Sequence, residues 1–143
     1  MEQKKSCGIL LFDSDKFERF LLMEHKARLD LPKGHIENGE RELECAFREF
    51  EEETGISPDN VKLLDDFSFE EKYIPDNVKG TDHEYMKKLI IFLGYLKKSA
   101  DITLTEHLGY RWVIWDPPHD IQKYTINPLL KKVEEYFNIR NLN

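Results

Sequence analysis

Three glutamates with helical spacing are the residues in this sequence best suited to chemistry. Glu49, Glu52 and Glu53 lie at i, i+3 and i+4 within the segment Glu40–Thr54, which places their carboxylates side by side on a helix. Like charges at this spacing repel, but a hard cation that prefers oxygen ligands, such as Mg²⁺, would stabilise them. We therefore predict a magnesium site, with Mn²⁺ as a substitute ion. A solvated acidic helix face is the alternative interpretation.

The residues around these glutamates favour the metal site. The loop Leu31–His35, which contains Pro, Lys and Gly, leads closely into the helix, and Gly55 is placed to end it. Arg48 lies between the carboxylates and is placed to orient one of them through a paired hydrogen bond, so we count it among the catalytic candidates. An adjacent stripe, with apolar residues at i, i+3, i+4 and i+7, is expected to face the core and consists of Leu43, Ala46, Phe47 and Phe50.

The remaining elements predict the sheet that positions this helix. Five apolar, β-prone segments are expected to be strands: Cys7–Phe12, Phe17–Glu24, Val61–Glu70, Lys88–Leu96 and Gly109–Trp115. Loops are expected at Ala27–Gly39 and Glu71–Tyr85. A final helix is expected to begin with Asn127 as its N-cap and Pro128 at its first position. This order of elements indicates an α+β sandwich with a mixed sheet.

Length and composition limit the class of protein. The chain has 143 residues, 40% of them hydrophobic and 34% charged, which predicts one globular domain over 1–143. It has no apolar run of about 18 residues, so no membrane association is expected. The net charge of −7 argues against a stable nucleic-acid partner. Cys7 and Cys45 suggest no disulfide framework, and a reducing cytoplasm is the expected location.

One continuous motif identifies a family. The sequence resembles the Nudix box at every specified position, over Gly34-x5-Glu40-x7-Arg48-Glu49-Phe50-x-Glu52-Glu53-x-Gly55-Ile56. The resemblance implies a mixed sheet between helices, an α/β/α sandwich, with a loop–helix–loop metal site. It also implies hydrolysis of a nucleoside diphosphate linked to another moiety. By analogy the principal metal ligands are Glu49, Glu52 and Glu53, while Glu40 is an accessory contact and Gly34 lets the backbone approach the site.

Segments outside the box narrow the resemblance. The chain is similar to the animal and archaeal type of asymmetric diadenosine tetraphosphate hydrolase in the segments Cys7–Leu10, Pro32–His35 and Glu106–Trp112. This resemblance implies that Glu106 reaches the metals or the attacking water, although the local sequence alone also fits an exposed loop glutamate. It implies a small-molecule nucleotide substrate, diadenosine tetraphosphate, that is cut to ATP and AMP. A monomer or weak dimer is expected.

Five further residues are candidates for substrate binding. Lys33 and Lys88 are candidate phosphate contacts, because lysines balance the charge of a tetraphosphate, and Arg28 is a weaker one. Tyr73 and Tyr124 fall where the resembling hydrolases place aromatic residues around the base, and aromatic faces stack on any base. An ordinary strand-end lysine and scattered surface aromatics are the alternatives. The long, acidic loop Glu71–Tyr85 departs from the family pattern and bears on substrate choice.

The predicted reaction is attack on phosphorus by a metal-held water, with Glu52 or Glu106 as the base that takes its proton. The sequence does not distinguish these two bases. The competing enzyme hypothesis is a pyrophosphohydrolase acting on the 5′-triphosphate end of RNA or on nucleoside triphosphates, although the chain lacks the basic cluster that RNA would require. A non-catalytic Nudix domain that senses nucleotides is a third hypothesis, and the intact box argues against it.

Overall fold

A mixed β-sheet with one helix on each face forms the frame of the protein, in a computed structural model that describes residues 1–142. The strands are β1 (Gln3–Phe12), β2 (Arg19–Glu24), β3 (Leu29–Asp30), β4 (Lys33–His35), β5 (Val61–Leu63), β6 (Phe69–Tyr73), β7 (Met86–Leu96) and β8 (Gly109–Ile114). The α-helices are α1 (Glu42–Thr54) and α2 (Ile126–Arg140), and a single 3-10 turn covers Pro58–Asn60. Within residues 1–142, no helix is both long and apolar enough to cross a membrane.

The sheet follows the order β3-β2-β1-β7-β5, with β4 beside β1, β6 beside β7 and β8 beside β2. The long central strands β1 and β7 run parallel, and the other pairings are antiparallel. This confirms the predicted α+β fold with a mixed sheet. Because β1 and β7 are covered by a helix on each face, their later parts, residues 7–12 and 89–96, are almost continuously apolar.

Alternating side chains divide the interior into two cores. On β1, Cys7, Ile9 and Leu11 point to the α1 face, whereas Leu10 and Phe12 point to the α2 face. The first core is completed by residues of α1, namely Cys45, Ala46 and Phe50. The second is completed by residues of α2, namely Leu129, Leu130, Val133, Tyr136 and Phe137. The predicted sandwich of helix, sheet and helix is therefore confirmed.

The metal-site helix differs slightly from its prediction. It begins at Glu42 and ends, as predicted, at Gly55, which adopts a left-handed φ of 74° and donates its N–H to the Glu51 carbonyl at 2.8 Å. Leu43 is 38% exposed, so its predicted place in the core stripe is wrong. The fully buried Cys45 faces the sheet instead, where it contacts Cys7 of β1.

Three predicted boundaries need correction. The predicted loop Ala27–Gly39 contains β3 and β4, and β4 pairs with β1 so that Gly34 lies opposite Cys7. The predicted strand Val61–Glu70 is split by a turn, in which Phe67 donates its N–H to the Leu64 carbonyl. Its second half, β6, extends to Tyr73, so the loop before β7 covers only 74–85.

The start of α2 is also different from the prediction. Thr125 precedes the helix, and Asn127 lies inside its first turn. The side-chain oxygen of Asn127 accepts the backbone N–H groups of Ile121 and Gln122 at 2.8 and 3.2 Å. Asn127 therefore caps the incoming loop rather than the helix, because its side chain satisfies donors that precede the helix. At the other end, Tyr136 and Arg140 both donate to Asp66, which ties α2 to the turn before β6.

Candidate functional site

A cavity of about 800 Å³ gathers charged side chains from four separate parts of the chain. They come from the β3–β4 segment, from the last turns of α1, from the start of β7 and from the loop before β8. Of the predicted residues, the cavity brings together Arg28, Lys33, Gly34, Glu49, Glu52, Glu53 and Glu106. The cavity therefore brings these candidates together, while their roles stay predictions, and it adds residues that sequence reasoning missed, including Asp30, Lys87 and His107.

Arg48 is the centre of the polar network beside this cavity. Its guanidinium donates to both oxygens of Glu40, at 2.7 and 3.0 Å, and to Glu49 at 2.9 Å. It also donates to the backbone carbonyl of His35 at 3.0 Å and to Glu52 at 3.3 Å. These hydrogen bonds lower the pKa of the Glu40 carboxyl to about 2. Arg48 thus holds the carboxylates of the helix against the loop that precedes it.

Gly34 marks the closest approach between that loop and the helix. A Cβ atom on Gly34 would lie 2.0 Å from the Cδ and Oε2 atoms of Glu49. No side chain can occupy that position without moving the Glu49 carboxylate. The predicted role of Gly34, to let the backbone approach the site, therefore has a direct steric cause.

Replacing Gly34 with Ala is expected to reduce divalent-metal affinity and turnover by roughly 10- to 100-fold, because the added methyl group displaces the Glu49 carboxylate. Titration calorimetry and initial rates would measure both quantities. Gly39→Ala is the control: it adds the same methyl group in the loop before the helix, where the Cβ meets nothing within 4 Å, and the left-handed φ of 79° makes it the more strained backbone of the two. Equal losses in the two variants would contradict the collision with Glu49.

Glu53 is the most deeply buried acid of the site. It is 3% exposed, and its Oε1 atom has no hydrogen-bond partner among residues 1–142. Burial, reinforced by the neighbouring carboxylates of Glu106 and Glu49, raises the pKa of Glu53 to about 8. A buried acid with a free oxygen and acidic neighbours is stabilised by a cation, so the donor set fits a divalent metal ion.

His107 is a residue of the site that the sequence analysis did not select. Its side chain is 4% exposed, and its Nε2 atom lies 3.6 Å from Oε1 of Glu53. Burial lowers the pKa of His107, and the ring of His25, 5.0 Å away, acts in the same direction. Its position directly after Glu106 is the sequence signal that identifies it.

The two neighbouring lysines of β7 face opposite sides of the sheet. Lys88, the predicted phosphate contact, does not line the cavity; it lies 3.6 Å from Glu70 and 3.9 Å from Glu42. Lys87 lines the cavity instead. Burial lowers the pKa of Lys87, and the nearby ammonium of Lys33 lowers it further. The sequence did not indicate which of the two lysines lines the cavity, because strand alternation depends on register, which only the sheet fixes.

Tyr73 and Tyr124 lie together in a second cavity of about 490 Å³. The two cavities are neighbours, because Tyr73 is the cross-strand partner of Lys87 in the β6–β7 ladder. A hydrogen bond of 2.7 Å from the Thr125 hydroxyl to Glu71 joins the start of α2 to β6 and closes the second cavity on one side. The two predicted aromatic residues are thus brought together beside the charged cavity.

The loop before β8 is fastened to the C-terminal end of α1. The Thr103 N–H donates to the Thr54 carbonyl at 2.8 Å, and the Thr105 hydroxyl donates to the Glu52 carbonyl at 3.1 Å. These two bonds fix the chain immediately before Glu106. Glu106 is therefore held at the cavity because the residues before it donate hydrogen bonds to backbone carbonyls of α1.

The mixed sheet between two helices and the carboxylate-lined cavity are the features expected of a Nudix domain, and comparison with known families agrees. A family model for the NUDIX domain matches residues 2–137. The chain belongs to the Nudix family, whose members use divalent metal ions.

Comparison with individual proteins shows which members of the family this chain is similar to. Over 122 residues the chain is 31% identical to the bis(5′-nucleosyl)-tetraphosphatase (asymmetrical) of Mus musculus, covering 76% of this chain and 78% of the mouse protein. It is 39% identical over 72 residues to the mRNA-decapping protein g5R of African swine fever virus, but this match covers only 50% of this chain and 26% of the viral protein. Among solved structures, a binary complex of the C. elegans Ap4A hydrolase matches with a TM-score of 0.78 and 25% identity, covering 94% of this chain and 98% of the nematode chain.

Proposed function

We propose that this chain is a Mg²⁺-dependent hydrolase of dinucleoside polyphosphates that acts as one Nudix domain and cuts diadenosine tetraphosphate to ATP and AMP. The observation that carries the proposal is the juxtaposition of two cavities, one lined by carboxylates and lysines and the other by two tyrosines. In a dinucleoside polyphosphate, the phosphate chain matches the charged cavity and the aromatic base matches the cavity that contains the tyrosines. The names of the mouse and nematode relatives point to the same substrate.

The proposed metal ligands are the carboxylates of Glu49, Glu52, Glu53 and Glu106, which all line the cavity. Mg²⁺ fits an all-oxygen site that leaves room for water and phosphate, and Mn²⁺ is a substitute of similar charge. When bound, the ion lowers the pKa of a water molecule and neutralises charge on the leaving phosphate. Glu40 acts indirectly, because it holds Arg48, which in turn holds Glu49.

Glu52 is the proposed base that accepts a proton from the attacking water. It is the most exposed of the three helix carboxylates, at 58% for its side chain, and its contacts with Arg48 are long, at 3.3 Å. Glu49 is tightly paired with Arg48, and Glu53 is buried. A general base accepts the proton of the attacking water and later releases it to the solvent. The loosely held, exposed carboxylate is therefore the better candidate.

The phosphate chain is proposed to bind to Lys33, Lys87 and Arg28, which line one side of the cavity. Lys33 and Arg28 are held by Asp30, at 3.2 and 3.8 Å from its Oδ2 atom. Lys87 lies close enough to Lys33 for the positive charge of Lys33 to lower the pKa of Lys87. An anion between them would relieve this repulsion, because it pairs with both charges.

Replacing Lys87 with Met is expected to raise KM for diadenosine tetraphosphate by roughly tenfold with a smaller change in kcat, because a phosphate contact is lost. Steady-state kinetics would measure both constants. Lys88→Met is the matched control, since the adjacent lysine faces Glu70 and Glu42 on the other side of the sheet. A larger rise in KM for the Lys88 variant would contradict the assignment.

The base is proposed to stack on Tyr73 or Tyr124 in the second cavity. Burial raises the pKa of Tyr73, and the carboxylates of Glu71 and Asp30 raise it further, so its hydroxyl stays uncharged. Tyr124 is 73% exposed and leaves an open ring face for a ligand. Each stacked base contributes about 1–3 kcal/mol in other proteins, enough to select nucleotides over inorganic polyphosphate.

The same proposal includes a cytoplasmic location and a monomer or weak dimer. Both cysteines are free and buried, as suits a reducing compartment. The residues proposed to bind the metal and the nucleotide all lie within one chain, which is compatible with a monomer. Size-exclusion chromatography with light scattering would measure the assembly state, and a tight obligate oligomer would contradict this part of the proposal.

The proposed substrate is tested by incubating the protein and Mg²⁺ with a panel of phosphoanhydrides. The panel contains dinucleoside polyphosphates, nucleoside triphosphates, ADP-ribose, and triphosphorylated and capped RNA. Chromatography of the products would identify both the substrate and the bond cut. We expect ATP and AMP from diadenosine tetraphosphate as the fastest reaction. An inert tetraphosphate beside a rapid alternative would overturn the substrate, and inertness towards the whole panel would overturn the enzyme class.

A further inference from the structure

We propose that His107 is a direct metal ligand, which makes the inner end of the site a mixed nitrogen and oxygen centre that prefers Mn²⁺ or another transition metal. The ligand set would be one ring nitrogen of His107 with the carboxylates of Glu53 and Glu106. This inference rests on the proposed function for its metal dependence, but it does not depend on which nucleotide is cut. It goes beyond the Nudix box, because His107 and Glu106 lie outside the motif.

Distances between the donor atoms support a shared ion. One donor atom from each of Glu53, Glu106 and His107 lies within 4.8 Å of the other two. The Oε1 atom of Glu53 and the Nε2 atom of His107 are 3.6 Å apart. Ligand atoms about 2.1 Å from one metal ion lie roughly 3–4 Å apart. A small rotation of the carboxylates therefore closes the set around a single ion.

Burial supplies an independent indication of a ligand at this position. His107 is 9% exposed and Glu53 is 3% exposed. The Nδ1 atom of His107 and the Oε1 atom of Glu53 are both buried without a hydrogen-bond partner among residues 1–142. Buried polar atoms are nearly always paired, so the unpaired Oε1 atom of Glu53 indicates a missing partner in the cavity. This oxygen lies 3.6 Å from the Nε2 atom of His107, and a cation bound to both would be that partner, whereas Nδ1 is the other nitrogen of the ring.

The two ends of the site then differ in donor chemistry. At the outer end, Glu49 and Glu52 offer oxygen alone and are restrained by Arg48. At the inner end, His107 adds an imidazole nitrogen, which binds Mn²⁺, Co²⁺ and Zn²⁺ better than Mg²⁺. The ring of His25 packs edge-on against His107, with 5.0 Å between the ring centroids. The inner end is therefore the selective one.

Pulsed electron paramagnetic resonance of the metal-depleted protein reloaded with Mn²⁺ tests the ligand directly. We expect a nuclear coupling from a directly bound imidazole nitrogen in the wild-type protein. The coupling should disappear in His107→Gln and persist in His25→Gln, the matched control from the same cavity. No nitrogen coupling in the wild-type protein would overturn the proposal, as would a coupling that survives in His107→Gln.

Metal competition gives a second readout in the same variants. His107→Gln should lose about tenfold or more in Mn²⁺ affinity while Mg²⁺ affinity changes less. Equal losses for both ions would mean that His107 only positions Glu53, and the proposal would fall. Circular dichroism of the variant would establish that it is folded. Because neither readout uses a nucleotide, nitrogen ligation can hold even if the tetraphosphate proves inert, so the two proposals fail separately.

Discussion

Turnover of the Glu52→Gln variant is expected to fall by about 10²–10⁴-fold, with little change in thermal stability. The substitution keeps the shape and hydrogen-bonding capacity of the side chain but removes its ability to accept a proton. Glu52 is exposed at the cavity and makes only long contacts with Arg48, so the fold does not depend on its charge. Steady-state kinetics with diadenosine tetraphosphate and a thermal melt would measure both effects.

Two matched variants make this result specific. Glu51→Gln removes the same charge from the neighbouring position of α1, which is exposed and does not line the cavity, and it should retain nearly full activity. Glu106→Gln should weaken metal binding more than it lowers turnover at saturating metal, if Glu106 is a ligand and Glu52 the base. Near-normal turnover in Glu52→Gln together with a collapse in Glu106→Gln would transfer the role of base to Glu106.

Glu53→Gln should have effects of opposite sign on function and on stability. Metal binding and activity should be lost, whereas the metal-free variant should be more stable than the metal-free wild-type protein at alkaline pH. Burial beside Glu106 and Glu49 raises the pKa of Glu53 from 4.5 to about 8. An acid whose pKa is higher in the folded chain than in the unfolded chain opposes folding once it ionises.

The pH range of this effect follows from the two pKa values. Below pH 4.5 Glu53 is protonated in both states, and it adds no penalty. As the pH rises from 4.5 to about 8, the unfolded chain loses the proton first, so the wild-type stability falls. Above that range the penalty is complete, at about 2–5 kcal/mol. Glutamine carries no such penalty.

Thermal unfolding in a chelator across this pH range would measure the difference between Glu53→Gln and the wild-type protein. The advantage of the variant should grow with pH and reverse when saturating Mg²⁺ is added, because only the wild-type site gains from the cation. Glu51→Gln, which lacks the burial, should show no comparable trend. A pH-independent difference would mean that packing rather than ionisation sets the stability of Glu53→Gln.

Much of the candidate site could be predicted because its proposed main ligands occupy one helix. Glu49, Glu52 and Glu53 lie within one turn and a half, so their spacing fixes their relative positions whatever the rest of the chain does. Gly55 was predictable for a similar local reason, since a left-handed residue at that point ends the helix. The mixed sheet followed from the order of apolar segments.

The contacts from other segments were harder to predict, because they depend on register and depth. Lys87 and Lys88 differ only in which face of β7 they occupy, and that is decided by pairing with β1 and β6. The burial of His107 depends on how the loop before β8 packs against α1, which leaves no local pattern. Leu43 was misassigned because it lies in the first turn of α1, at the margin of the packed interior. Asn127 was misassigned because its side chain accepts hydrogen bonds from the incoming loop and α2 begins one residue earlier, at Ile126.

The attachment of the loop before β8 to α1 has a consequence for biosynthesis. The box is translated early, but Thr103, Thr105 and Glu106 emerge only after β7 is complete. A nascent chain that ends at β7 therefore displays three helix carboxylates without the segment that completes their cavity. Such a chain also lacks β8 and α2, and under the proposed mechanism it is inactive because Glu106 is missing.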